Sequence, residues 1–266
     1  MRKLIILSLA ATLAIGYWGC KKSEENPAGS SESGITITDN TYPKNEGTYY
    51  KYAYDRTDSN GHSSGTRITY YKGDIIILGP TYKTQIDSSN LNATWQVDSL
   101  YFRTTAGGVY YFIDTTGFAA SIEDPTLIQF LPFIAIDNEL LAYSFPIQVG
   151  TLWPVFKMNL NYPGLPPTTL VDVSASVIGE EDINLGLISG IIIKKALIVK
   201  YTMVLKTNPL LPMPRTYTAN AWLIPDVGPV KWEGSGTIVN VFTGVGIDFG
   251  DTTTVVSQSL IDYSIK

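Results

Sequence analysis

Residues of alternating character recur along this chain with a period of two, and that pattern leaves little choice of secondary structure. Val171, Val173, Ala175 and Val177 alternate with Asp172, Ser174 and Ser176. Val199, Tyr201, Met203 and Leu205 alternate with Lys200, Thr202, Val204 and Lys206, and Tyr50, Tyr52 and Tyr54 with Lys51 and Ala53. Successive side chains of a strand point to opposite faces, so each spaced set lies on one face of a sheet. One dry face and one wet face is the antiparallel pattern, because parallel strands are covered on both sides and read as continuous apolar runs. The 17 tyrosines suit a pleated surface as well. Turn chemistry separates the runs at Ser59-Asn60-Gly61, Lys72-Gly73-Asp74, Ala106-Gly107-Gly108 and Gly234-Ser235-Gly236. The expected fold is mainly β: an antiparallel curved sheet, as a sandwich or half-barrel, with one short helix.

The helix is expected after Asp124-Pro125, an N-cap followed by proline at the first helical position, with a stop near Pro132. A second oily stretch, Leu185 to Ile193, is too short to span a bilayer, and its isoleucines favour a strand. Two phrases are echoed within the chain. Glu46-Gly47-Thr48-Tyr49-Tyr50 corresponds to Val149-Gly150-Thr151-Leu152-Trp153, and the run from Asp98 to Tyr110 to that from Ala219 to Lys231. They suggest two similar β halves, residues 41–122 and 140–266, although any β-meander shows some echoes.

The start of the chain has a different design. Arg2 and Lys3 precede an apolar run from Leu4 to Ile15, interrupted only by Ser8 and Thr12, and the run ends in Gly16-Tyr17-Trp18-Gly19-Cys20. This is the layout of a secretory signal, and it is shorter than a transmembrane helix requires. The Gly19-Cys20 pair resembles the bacterial lipoprotein signal family, in which a small residue precedes a required cysteine. The resemblance implies a signal peptide over residues 1–19, cleavage between Gly19 and Cys20, and a diacylglycerol on the Cys20 thiol. The family prefers Leu and a small residue where this chain has Tyr17 and Trp18. Residues 20–40 then form the lipidated cysteine and a tether. Its first part, Lys21 to Ser33, has no aromatic or β-branched residue with which to build a core. The membrane, reached through lipid on Cys20, is the expected partner, and the cell envelope, at the outer membrane, the expected location. Its periplasmic face and the cell surface both stay open.

Within the body, residues 41–266, two phrases resemble a loose group of exported bacterial lipoproteins of unknown function. One is Phe145-Pro146 with Val149-Gly150 and Trp153; the other runs from Trp222 through Pro225, Val227-Gly228 and Val230-Lys231. The resemblance implies a shared fold and no activity.

Composition narrows the chemistry. Losing Arg2 and Lys3 with the leader lowers the basic count from 19 to 17, against 24 acidic residues, which excludes the basic footprint of a nucleic-acid binder. Cys20 is the only cysteine, so its lipidation leaves the body without a thiol, a disulfide or a thiolate ligand. The single histidine, His62, sits in a turn-rich stretch and cannot build a histidine zinc site. No nucleophile elbow, P-loop or dinucleotide fingerprint occurs. A glycosidase would need two facing carboxylates, for which Glu123-Asp124, Asp137 with Glu139, and Glu180-Glu181-Asp182 are the candidates. Asp55 with Asp58, and Asp248 with Asp251, are too sparse to suggest calcium. No catalytic, metal-binding or cofactor-binding residue is therefore assigned. The expectation is a non-enzymatic, lipid-anchored β domain that binds a glycan, a peptide or an envelope protein. Trp95, Trp153, Trp222 and Trp232 are its candidate contact residues, although aromatics in such a sheet are more often core. The alternatives are a lipid or lipoprotein carrier with an apolar cavity, and a carboxylate-dependent hydrolase.

Overall fold

The computed structural model describes residues 34–91, 93–114, 131–164, 166–206, 214–243 and 251–266. The strands are β1 (Tyr49–Asp58), β2 (Gly61–Ile76), β3 (Thr81–Leu91), β4 (Thr94–Thr105), β5 (Gly108–Phe112), β6 (Ile134–Ile136) and β7 (Glu139–Ser144). They continue with β8 (Leu152–Leu160), β9 (Thr168–Leu187), β10 (Gly190–Leu205), β11 (Arg215–Ile224), β12 (Gly228–Ser235) and β13 (Val255–Ser264). A short helix, α1 (Gly236–Val241), lies between β12 and β13. All the strands join one open, curved, 13-stranded sheet in the order β6-β8-β9-β10-β11-β12-β13-β1-β2-β3-β4-β5-β7. Every strand pairing in it is antiparallel.

The alternation read from the sequence is the alternation of burial. Val171, Val173, Ala175 and Val177 are at most 3% exposed, and Val199, Tyr201, Met203 and Leu205 are fully buried. Tyr50, Tyr52 and Tyr54 turn inward beside them. The inner face of the curved sheet is thus one continuous core, with the polar partners of each strand on the outside. Two of the inward tyrosines find acceptors for their hydroxyls: Tyr201 donates to the Ala142 carbonyl across the interior (3.0 Å), and Tyr52 to that of Pro229 (2.8 Å). Burial pushes the Tyr201 and Tyr143 phenols well above their ordinary range, so they stay neutral donors.

The echoed phrases occupy matching places. Gly47 and Gly150 both adopt a positive φ, +85° and +88°, where an L side chain would clash. Each opens a strand in the same way. The Gly47 and Gly150 N–H groups donate to Tyr71 and Val177, and the carbonyls of Thr48 and Thr151 accept from those same two residues. The second echo falls on the β4–β5 and β11–β12 hairpins. Along the sheet, β8 to β13 form one six-strand run, and β1 to β5 with β7 form another. The strand added last in each run follows an excursion, through β6 in one case and α1 in the other.

Some local expectations change. Lys72-Gly73-Asp74 is not a turn: β2 continues through it to Ile76, with a register shift between Tyr71 and Asp74. Leu185 to Ile193 is not one strand but the tip of the β9–β10 hairpin, turning at Ile188-Ser189. The observed helix is α1, docked by Ile238 and Val239, whereas the one expected after Asp124 lies outside the described residues apart from its end near Pro132. Residues 34–40, placed in the tether by the boundary expected at residue 40, belong to the body, because Ile37 is fully buried and pairs with Ile147 through two backbone hydrogen bonds.

Candidate functional site

The two six-strand runs meet twice, and the two junctions differ. At one, β13 and β1 are hydrogen-bonded along their length, from Tyr49 opposite Ser264 to Thr57 opposite Val255. At the other, β7 and β8 lie side by side without forming a ladder. A side chain spans them instead, the Trp153 indole donating to the Leu141 carbonyl at 3.1 Å. Two features hold these strands apart. Ile37 pairs with Ile147 in the loop between them, and β6 occupies the far end of β8, with Ile134, Ala135 and Ile136 opposite Leu160, Asn159 and Met158. Between the strands runs a groove of about 820 Å³. Tyr110, Glu139 and Leu141 form one wall, Pro154 to Lys157 the other, and Ile134 to Asp137 line its end.

The first wall is stiffened by a charged cluster. Arg103 binds Glu139 through both carboxylate oxygens, at 2.5 and 2.7 Å, and the Tyr82 hydroxyl donates to the same carboxylate at 2.6 Å. The guanidinium also lies 4.7 Å from the Tyr110 ring centroid, a cation–π contact that fixes the ring against the groove. The hydrogen bonds from Arg103 hold the Glu139 carboxyl below its ordinary range. A glycosidase acid needs the opposite shift. Asp137 and Glu139 do share this groove, but the Glu139 carboxylate is taken up by Arg103 and Tyr82. The other carboxylate candidates are elsewhere: Glu180 accepts the Ile35 N–H at 2.7 Å, Glu181 accepts the Trp222 indole N–H, and Glu123-Asp124 lie outside the described residues.

The sheet interior holds a second polar cluster. Arg67 donates to Asp87 (2.5 Å) and to Gln258 (2.7 Å), while Thr69 and Gln85 donate to Asp87 and Tyr111 to Gln85. Beside it a cavity of about 20 Å³ is enclosed by Tyr50, Tyr52, Tyr71 and Tyr143 among others, room for a single water-sized group. A space of that size is far too small for an acyl chain. The described residues also contain no group of three or more metal-ligating side chains, and no helix long and apolar enough to cross a membrane. Asp251 accepts from Thr253 and Thr254, which hold its carboxyl down to about 2, and Asp248 lies outside the described residues. His62 is an exposed residue of β2, beside Ser64, whose hydroxyl donates to Asp55.

Of the four candidate tryptophans, only Trp95 presents its ring to solvent, at 55% exposure; Trp153, Trp222 and Trp232 are 2%, 6% and 3% exposed. Trp232 stacks on Tyr201 and on Phe242, whose rings also meet each other, and Trp222 carries the Lys231 ammonium over its ring. Cys20 and Gly19 lie outside the described residues. Residues missed in the sequence, Arg103 and Tyr110, belong to the groove only because β4, β5 and β7 are neighbours, and nothing local marks them.

No protein-family model matches this chain, and no curated protein does either. Among solved structures, a candidate lipoprotein from Parabacteroides distasonis ATCC 8503 is similar at 12% identity and a TM-score of 0.42, over 84% of this chain and 98% of that one. A candidate exported protein with a YmcC-like fold from Bacteroides fragilis NCTC 9343 is similar at 12% identity and a TM-score of 0.42, over 86% of this chain and all of the other. At that identity neither assigns a role to any residue here.

Proposed function

We propose that this chain is an exported protein of the bacterial envelope, held at the outer membrane by lipid on Cys20. Its body binds an extended segment of a partner polypeptide in the groove between β7 and β8. The observation that carries this reading is the unpaired junction. Two strand edges lie next to each other without a ladder, while the equivalent junction, β13 with β1, is zipped shut. Unpaired edges present backbone donors and acceptors in a row, and an extended peptide satisfies them by adding a strand. The β8 edge already accepts an added strand at its far end, where β6 docks with only three residues. Pro154 removes one donor from the remaining part, which restricts the peptides that can pair there. Tyr110 and Leu141 supply apolar contacts for alternate side chains, and Lys157 and Asp137 a polar rim.

Two measurements test the two halves of the proposal. Metabolic labelling with a fatty-acid analogue is expected to mark the wild type and not Cys20→Ala; equal labelling of both would refute the anchor. For the groove, a photo-crosslinking amino acid at position 157 is expected to give a discrete adduct in cells. The same group at position 200, on the outer face of β10, should give none. Identical adducts from both positions, or none from 157, would overturn the binding role.

A further inference from the structure

The β9–β10 hairpin continues beyond the rest of the sheet. β11 and β12 stop at the turn around Asp226, yet the hairpin tip reaches past both, and the Ile188 N–H donates to the Ile261 carbonyl of β13 at 2.8 Å. It therefore arches over the end of the sheet. Its inner face is packed, with Leu185 3% and Leu187 9% exposed. Its outer face is apolar and bare: Ile188, Ile191 and Ile193 are 70%, 74% and 67% exposed. The register puts Gly186 and Asn184 opposite Ile191 and Ile193, so no cross-strand apolar side chain covers them. Three exposed isoleucines on one small tip are not the scattered apolar residues of an ordinary surface.

Two more features sit at the same end. Tyr49 pairs with both Ser264 and Tyr70, which places the close of β13 and the far half of β2 there. Beyond Tyr70, the β2–β3 turn exposes Ile76 at 72% and Leu78 at 75%. The body also begins at this end, because Ile35 is bound to Glu180 at the base of the hairpin and Thr41 accepts from Asp226. A chain from Cys20 to Ser33 spans at most about 50 Å even when fully extended, so an anchored body keeps this end within that distance of the bilayer.

We propose that this end of the sheet rests on the phospholipid surface, with the β9–β10 tip inserting Ile188, Ile191 and Ile193 at the boundary of headgroups and acyl chains and the β2–β3 tip making a second contact. The inference rests on the anchor at Cys20 for its setting, since tethering raises the local concentration and lets a weak apolar contact fill. Nearby, Glu180 and Glu181 accept hydrogen bonds, and Asp182 stands opposite Lys195 in register. The three isoleucines make the contact of the tip itself apolar. It also leaves the β7–β8 groove, on the side of the sheet, open to a partner.

Because Cys20 is the only cysteine, replacing it with a histidine tag allows a single probe thiol elsewhere. The tagged chain is seated on phosphatidylcholine vesicles containing a nickel-chelating lipid, which tethers it at the natural position without any cellular lipidation. A nitrobenzoxadiazole probe at position 191 (Ile191→Cys) is expected to shift to the blue on seating. The same probe at position 60 (Asn60→Cys), in the β1–β2 turn at the opposite end, should stay at its aqueous emission. Adding Ile188→Asp and Ile193→Asp should abolish the shift at 191. An aqueous spectrum at 191 on the vesicles, or an equal shift at 60, overturns the proposal. So does a concentration-dependent shift at 191 without vesicles, which would mean that a second copy covers the tip. Failure of fatty-acid labelling at Cys20 would remove the anchor and leave this result standing, so the two readings fail separately.

Discussion

Replacing Arg67 with methionine is expected to cost the body roughly 3–5 kcal/mol, the usual loss when one partner of a buried ion pair is removed. The side chains of Arg67 and Asp87 are 5% and 3% exposed. They meet diagonally between β2 and β3, Asp87 standing opposite Thr69, on the inner face where neither is solvated. In the wild type the Asp87 carboxylate is matched by Arg67, Thr69 and Gln85. Without the guanidinium it remains buried with neutral donors only, and Gln258 loses the donor to its side-chain carbonyl. Folded domains are stable by only about 5–15 kcal/mol, so the single change consumes a large share. The second substitution should behave differently. Asp87→Leu added to Arg67→Met removes the uncompensated charge, and most of the lost stability is expected to return. Urea unfolding of the wild type, the two single variants and the double variant measures this cycle. A double variant as unstable as the sum of the singles would show that the pair is not a coupled unit.

Trp232→Ala is expected to cost about 3–5 kcal/mol, the range for deleting a large buried aromatic. The ring lies 5.5 Å from Tyr201 and 5.1 Å from Phe242, stacked on both. Phe242 follows α1 directly, so the cavity left by the indole would also loosen the seat of the helix. Trp95→Ala should shift stability by no more than about 0.5 kcal/mol, as for an ordinary surface change. The comparison separates two meanings of an aromatic residue that the sequence presents alike. A Trp232→Ala body with unchanged unfolding would mean that the ring contributes little to the core, contrary to its stacking.

Much of the architecture was legible from residue order. Val171 to Val177, Val199 to Leu205 and Tyr50 to Tyr54 announce their own inner faces, because the period of a strand is two and burial must follow it. The paired Gly-Thr phrases announced two like strand openings, and the hydrogen bonds of Gly47 and Gly150 are indeed alike. Other features depended on neighbours. Gly73 looks like a turn residue and sits within β2 instead, since the ladder with β3 resumes beyond it at Asp74. Ile191 and Ile193 read as ordinary strand isoleucines. They are exposed because the hairpin outruns its neighbours and has a packed face only on the side of Leu185 and Leu187.

The sequence by itself determined the β class of the fold, the inner face of each clearly alternating strand, and an acidic charge balance. Only the tertiary structure decided that β7 and β8 meet unpaired, that Arg103 and Tyr82 hold Glu139 at the groove, and that Arg67 finds Asp87 and Gln258. The reason is physical. Alternation records how one strand divides its side chains between two faces, a local property. A strand edge presents the same N–H and C=O groups whatever its sequence. Which edges meet, and which stay open, is settled by long-range closure of the sheet, and the candidate binding groove of this protein lies at a junction left open among the described residues.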